Sequence, residues 1–322
     1  MRYLITGGAG FIGSHLAERL LEDGHSVLVL DDLSTGRYEN VGHLEGHAGF
    51  ELRVASVTDP SVVERCVTEC QAVFHLASAV GVRLVVEEPV KTIETIVNGT
   101  DLVLRSCARY RRPVLLTSTS EVYGKSEKIP FSENDDTVMG PTTTRRWAYA
   151  CAKALDEFLA LAHWYQTRLP VVVVRLFNTV GPRQTGRYGM VIPRLISQGL
   201  AGEPLTVYGD GSQSRCFAHV LDVVGALVRL IGLPEAFGQV FNVGNDEEIT
   251  ILALAERVRI LTGEKSPIRA IPYSEAYTAG FEDMVRRVPN LSKINRLIGY
   301  QPTRRLDRIL ADVLADQTRG LA

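Results

Sequence analysis

The chain is 322 residues long, 45% hydrophobic and 22% charged, with a formal net charge of -2, which is the profile of a soluble globular protein of one large or two ordinary domains. That charge balance excludes a global basic field for nucleic acid or a membrane surface, so any anionic ligand has to be met by local arginines. The five cysteines, Cys66, Cys70, Cys107, Cys151 and Cys216, include no C-x-x-C pair and are odd in number, which argues against a disulfide framework and a zinc site; no apolar run approaches the roughly 18 residues of a spanning helix, and the expectation is a cytoplasmic protein without a metal.

Tyr3-Leu4-Ile5-Thr6 predicts a short apolar strand, Gly7-Gly8-Ala9-Gly10-Phe11-Ile12-Gly13 a glycine turn, and the recurrence of Ile12, Leu16 and Leu20 a helix. In such a turn Gly7, Gly10 and Gly13 let the backbone approach a pyrophosphate, whose charge is met by amides at the helix N-terminus, with Phe11 and Ile12 alongside. Gly24 ends the helix, Ser26 to Leu30 is the next strand, and Asp31 follows Gly13 by 18 residues, near the roughly 20 expected of the carboxylate that accepts the ribose hydroxyls of NAD and repels a 2'-phosphate. Leu52 to Val54 and Ala72 to Leu76 continue the strands, each followed by helix-like sequence, so the expected fold is α/β with a doubly wound parallel sheet. Ser56 and Val57 fall beside the adenine, His75 packs at a strand end, Leu76 and Ala77 reach the nicotinamide end, and Gly81-Val82-Arg83 begins a loop over the substrate. Two long, partly apolar helices, from Pro89 to about Tyr110 and from Tyr149 to Trp164, suit pairing with a second copy in a homodimer.

The stretch from Leu116 to Lys153 organises the site. An apolar strand from Pro113 to Leu116 runs into Thr117-Ser118-Thr119-Ser120-Glu121, at the carboxyl edge of a parallel sheet, where ligands of open α/β folds bind. Tyr149 and Lys153 lie four apart, so on a helix they share a face and the ammonium is expected to lower the phenol pKa; Thr119 and Glu121 face the same ligand. The β-branched run Val171 to Arg175 is a buried strand, after which Leu176 to Arg183 leaves the sheet and Val191-Ile192-Pro193-Arg194 precedes a helix. Leu205 to Tyr208 is a strand, His219 to Asp222 opens a helix, and Val240 to Gly244 returns to the sheet. The expected division is a nucleotide-binding Rossmann domain of residues 1–177 and 217–244 and a smaller substrate-binding α/β region of 178–216 and 245–322. Arg175, Arg183, Arg187, Arg194, Arg215, Arg286 and Arg287 accumulate outside the nucleotide part and collectively suit a polyanion, since guanidinium forks match phosphate and carboxylate.

Together, Thr6 to Gly13, His75-Leu76-Ala77, Thr119-Ser120-Glu121-Val122-Tyr123-Gly124, Tyr149-x-x-x-Lys153, Asn178 to Arg183 and Arg286-Arg287-Val288-Pro289 resemble the extended short-chain dehydrogenase/reductase family, the NAD-dependent epimerases, dehydratases and decarboxylases of nucleotide sugars. Simple 4-epimerases usually carry small residues where Glu121 stands and 4,6-dehydratases an Asp-Glu pair at Ser120-Glu121, whereas Thr-Ser-Glu is similar to UDP-glucuronate decarboxylases of the UDP-xylose synthase type. Three departures stand out: Ile96 for a common Asn, Ser56 for a common Asp, and Asn290 for the Asp after Pro289. The resemblance implies Arg83, Asn178, Val191, Arg194, Tyr208, Arg215 and Arg287 as UDP-sugar contacts. It also implies a cycle in which Tyr149, assisted by Lys153, takes the sugar 4-hydroxyl proton while hydride passes to NAD and Thr119 orients O4. The resulting β-keto acid loses carbon dioxide, with Ser120, Glu121 and Arg287 handling the enolate, and the product is UDP-4-keto-pentose or UDP-xylose. A UDP-sugar 4-epimerase or 4,6-dehydratase shares the cofactor residues, and an NAD-sensing regulator shares the fold; the intact Tyr149/Lys153 pair weighs against the regulator.

Overall fold

The computed structural model describes residues 1–78, 88–186, 190–276, 284 and 286–319. Its central sheet contains seven strands: β1 (Arg2–Thr6), β2 (Ser26–Asp31), β3 (Phe50–Val54), β4 (Ala72–His75), β5 (Val114–Thr119), β6 (Val171–Leu176) and β7 (Gln239–Val243), in the order β7-β6-β5-β4-β1-β2-β3. Every pairing is parallel. Valine-rich β6 illustrates why: a strand with helices on both sides has no polar face, and Val171 to Val174 are all buried. The chain runs outward from β1 through β3 and then resumes on the other side of β1 at β4, which opens a crevice at the carboxyl ends of β1 and β4.

Helices α1 (Phe11–Glu22) and α6 (Val220–Ile231) cover one face of the sheet; α2 (Pro60–Thr68), α3 (Pro89–Tyr110) and α4 (Trp147–Thr167) cover the other. A third core joins α5 (Val191–Ala201), α7 (Ile251–Leu261) and the C-terminal helix Leu306–Arg319 through Ile192, Leu195, Leu254, Val258 and Ile309. Beside it, strand Ser214–Cys216 lies between Glu248–Thr250, antiparallel, and Arg286–Arg287, parallel, with Arg287 directly in register with Arg215.

Three expectations change in detail. The hydroxyl run after Leu116 belongs to β5 itself, because Ser118 and Thr119 pair with Arg175 and Leu176 of β6. Val191 opens α5 instead of preceding it; Pro193 is tolerated there because first-turn amides have no intrahelical acceptor to lose. Within the segment assigned to the substrate region, Ile294, Ile298 and Tyr300 pack into the core against α1 and α6, and the Tyr300 hydroxyl donates to Gly244 O at 2.8 Å. Residues 291–300 therefore belong with the sheet.

Candidate active site

A cleft of about 790 Å³ runs from the glycine turn across the carboxyl ends of the strands to the second region. At its nucleotide end Gly7 has φ +72°, and a Cβ on Gly13 would collide with the Gly7 carbonyl and the Gly8 backbone, so neither position accepts a side chain. The α1 N-terminus carries no side-chain cap and offers its amides to a phosphate. Asp31 ends β2, where Oδ2 accepts from Ala9 N at 3.0 Å and Oδ1 from Leu33 N at 2.9 Å. Burial raises its pKa above the ordinary carboxylate value, yet each oxygen retains a lone pair for a ribose hydroxyl. Gly10, Phe11, Ile12, Val57, Leu76 and Ala77 all face this space. Ser56, expected beside the adenine, keeps its hydroxyl 2.8 Å from Thr58 Oγ1 in a local turn, and its neighbours Ala55 and Val57 line the cleft there. Ser34, Arg37 and Asn40 line it as well; a stretch without strand or helix periodicity carried no signal for them.

The reacting end is built from three segments. β5 delivers Thr119 to the cleft, and its hydroxyl caps the short turn Ser120–Tyr123 by accepting from Glu121 N at 3.2 Å. α4 delivers Tyr149 and Lys153 on one face, and both line the cleft with Thr119. Strand Arg286–Arg287 delivers Arg287, whose Nη1 lies 3.2 Å from Glu121 Oε1; Nη2 of Arg146, at the start of α4, lies 3.5 Å from the same oxygen. Ser120 lines the cleft beside them. Arg146 was not among the expected site residues, although its position three residues before Tyr149 was the available signal. The electrostatics reverse one expectation. Burial, and then the Glu121 charge, push the Tyr149 phenol above its ordinary pKa, while Thr119 and Arg287 oppose that rise. Lys153 gives its ammonium to Asp156 Oδ2 at 2.9 Å.

On the far side Asn178 donates to Cys216 O at 3.0 Å, Arg215 donates to Ser214 O at 2.7 Å, and the Arg194 guanidinium lies 4.3 Å from the centre of the Tyr208 ring. These four, with Val191, line the cleft. Arg83 and Arg187 lie outside the described residues. Of the remaining arginines, Arg183 reaches the cleft while bonding Ser14 and Glu18, but Arg286 is paired with Glu248 at 2.8 Å on the surface and Arg175 is buried against Glu157. Those two belong to carboxylates of the protein, because each guanidinium is already matched by a fork of oxygens. Asn290 is likewise explained by the fold: its Oδ1 accepts from Ser292 N at 2.9 Å. Among the described residues no group of three or more His, Cys, Asp or Glu could hold a metal ion, and no helix is long and apolar enough to cross a membrane.

The glycine cradle, the uncapped helix and Asp31 thus suit a dinucleotide, and the tyrosine, threonine and arginines suit an anionic sugar beside it. Residues 3–244 match the model of the NAD dependent epimerase/dehydratase family. The chain is 40% identical over 302 residues to UDP-N-acetyl-alpha-D-glucosaminuronate decarboxylase of Bacillus cytotoxicus, covering 94% of this chain and 92% of that one. It is 39% identical over 301 residues to UDP-glucuronic acid decarboxylase 1 of Danio rerio, covering 94% and 69%. Among solved structures it is similar to the UDP-glucuronic acid 4-epimerase of Bacillus cereus in complex with UDP-glucuronic acid and NAD, with a TM-score of 0.89 at 26% identity over 99% of both chains. Matched across three quarters of its length by a family model and across nearly all of it by decarboxylases, and carrying the cradle and the tyrosine-lysine pair, the chain belongs to the NAD dependent epimerase/dehydratase family.

Proposed function

We propose that this protein catalyses the oxidative decarboxylation of UDP-glucuronate to UDP-4-keto-pentose or UDP-xylose. The observation that carries the reading is Glu121 flanked by Arg287 and Arg146 beside Tyr149, a carboxylate-handling centre next to an oxidising one. NAD, which Gly7, Gly10, Gly13 and Asp31 would hold, would supply the hydride acceptor for sugar C4. Tyr149 is the base for the O4 proton: burial and Glu121 disfavour its phenolate and Arg287 favours it, Lys153 on the same helix face adds a cation, and Thr119 holds O4; an error of about 1 Å in that placement costs on the order of a hundredfold. The 4-ketone then makes the C5 carboxylate a β-keto acid. Cleavage of the bond from C5 to the carboxylate leaves its electron pair as an enolate, which Arg287 stabilises, with Ser120 and Glu121 arranged around it while a proton returns to C5. Arg215 and Arg194 hold the diphosphate end.

The test is incubation with NAD and UDP-glucuronate, followed by detection of carbon dioxide and a UDP-pentose by mass spectrometry. A UDP-hexuronate epimer without carbon dioxide would sink the reading in favour of a 4-epimerase. The Bacillus relative makes the C2-acetamido analogue a second substrate to run alongside. We also propose a cytoplasmic homodimer joined through α3 and α4, whose outer faces expose Val90, Ile93, Leu155 and Phe158; a monomeric mass at micromolar concentration refutes it.

A further inference from the structure

Behind Lys153 lies a buried polar chain that the reaction described above does not use. Lys153 Nζ donates to Asp156 Oδ2 at 2.9 Å, and the Thr100 hydroxyl on α3 donates to the same oxygen, also at 2.9 Å. Thr100 Oγ1 lies 3.1 Å from His75 Nε2, and His75 Nδ1 lies 2.7 Å from Thr6 Oγ1. Ala77 N donates to Thr6 Oγ1 at 3.3 Å. Thr6, His75, Thr100, Lys153 and Asp156 are all buried.

Because the Thr100 hydroxyl donates to Asp156, its oxygen accepts from His75 Nε2-H. In a neutral ring Nδ1 then accepts from the Thr6 hydroxyl. Burial first, and then the Lys153 ammonium, push His75 down to about 3, so the ring is neutral at physiological pH. Asp156 Oδ1 has no hydrogen-bond partner among the described residues, so the hydrogen bonds that place the carboxylate come from Thr100 and Lys153. Stability alone does not account for such a pair, since replacing a buried ion pair by apolar residues is often neutral or stabilising.

We infer that Asp156 is a positioning residue for catalysis: held by the Thr6-His75-Thr100 chain, it anchors the Lys153 ammonium one helical turn behind Tyr149 and sets the charge the phenol experiences. The groups acting on the phenol are Glu121 and Asp156, which raise its proton affinity, and Thr119 and Arg287, which lower it. Burial raises the Asp156 carboxyl above the usual carboxylate range, as does Glu157 to a smaller extent, while Lys153 and Thr100 oppose that rise and favour the charged form. This inference rests on the proposed role of Tyr149 as the base, and one readout is independent of the substrate.

The experiment compares Asp156→Asn, Thr100→Val and Thr100→Ser with the parent. Asp156→Asn keeps the shape but removes a negative charge from beside the phenol. Its phenolate therefore forms at lower pH, the acid limb of kcat moves toward acid, and the plateau falls about tenfold to a hundredfold as the ammonium loosens, with KM for UDP-glucuronate unchanged. Thr100→Val lowers the plateau with the limb in place, and Thr100→Ser restores it. The phenol is titrated separately by ultraviolet difference spectra against Tyr149→Phe, without a sugar, so an error in the assigned reaction does not spoil the test. An Asp156→Asn protein whose phenol titrates as in the parent overturns the inference. Should that variant not fold, the Thr100 pair decides: equal losses in Thr100→Val and Thr100→Ser overturn it, and recovery in Thr100→Ser upholds it.

Discussion

Glu157 meets Arg175 through contacts of 2.7, 3.0 and 3.2 Å inside a covered face of the sheet, whereas Glu121 meets Arg287 at 3.2 Å and Arg146 at 3.5 Å on the cleft wall. Around the first pair everything is completed: Arg175 Nη1 donates to Glu133 O at 3.2 Å, its guanidinium lies 4.7 Å from the Tyr123 ring centre, and Ser118 donates to Glu157. At the second, one carboxylate oxygen is divided between two guanidiniums at longer range, next to a titratable phenol. Bidentate, enclosed geometry marks a pair committed to the fold. The Glu121 group differs in place: it lines the cleft, where an incoming carboxylate can reach its guanidiniums.

That contrast is tested by four substitutions. The largest effect belongs to Glu157→Ala, which strands a buried guanidinium and is expected to cost about 3–5 kcal/mol of stability, read by denaturant unfolding; a loss below about 1 kcal/mol, ordinary for an exposed pair, would erase the distinction. Arg287→Ala should leave the unfolding midpoint in place yet lower kcat at saturating UDP-glucuronate roughly a hundredfold to a thousandfold. Full recovery at high substrate would make Arg287 a diphosphate-binding residue. Arg146→Lys keeps the charge but loses the fork, so a rise in KM of about tenfold is expected, the scale of one charged hydrogen bond. The smallest effect tests a carboxylate whose backbone amide partners, Ala9 N and Leu33 N, hold it in place: Asp31→Ser should weaken NAD by roughly tenfold, two neutral hydrogen bonds' worth, and relax discrimination against NADP. Tight NADP binding by the unaltered protein would refute the role assigned to Asp31.

The nucleotide half was legible because its signals are local. Gly7 to Gly13, the strands around them and Asp31 are neighbours in sequence or separated by one helix, so spacing translates directly into position. Ser56 is the exception, and the reason is local too: a hydroxyl two residues from Thr58 satisfies itself in a turn. In the sugar half only the Tyr149/Lys153 pair had such a signal. The arginines looked alike in sequence, and their sorting depended on which of them met a carboxylate. Arg175 and Arg286 did so away from the cleft, while Arg194, Arg215 and Arg287 line it.

By itself, then, the sequence determined the parallel sheet, the cradle and the helix that carries Tyr149, since each follows from hydrophobic period, glycine placement and residue spacing within one or two elements. The tertiary structure decided what the charges do. Arg287 joins Glu121 and Arg146 only because strand Arg286–Arg287, distant in the chain, pairs with Ser214–Cys216. Lys153 meets Asp156 within one turn of α4, but Asp156 is linked through Thr100 and His75 to Thr6 only because α3 packs against α4 and β4. Coulomb interactions depend on distance and burial, and neither quantity exists until the chain has folded.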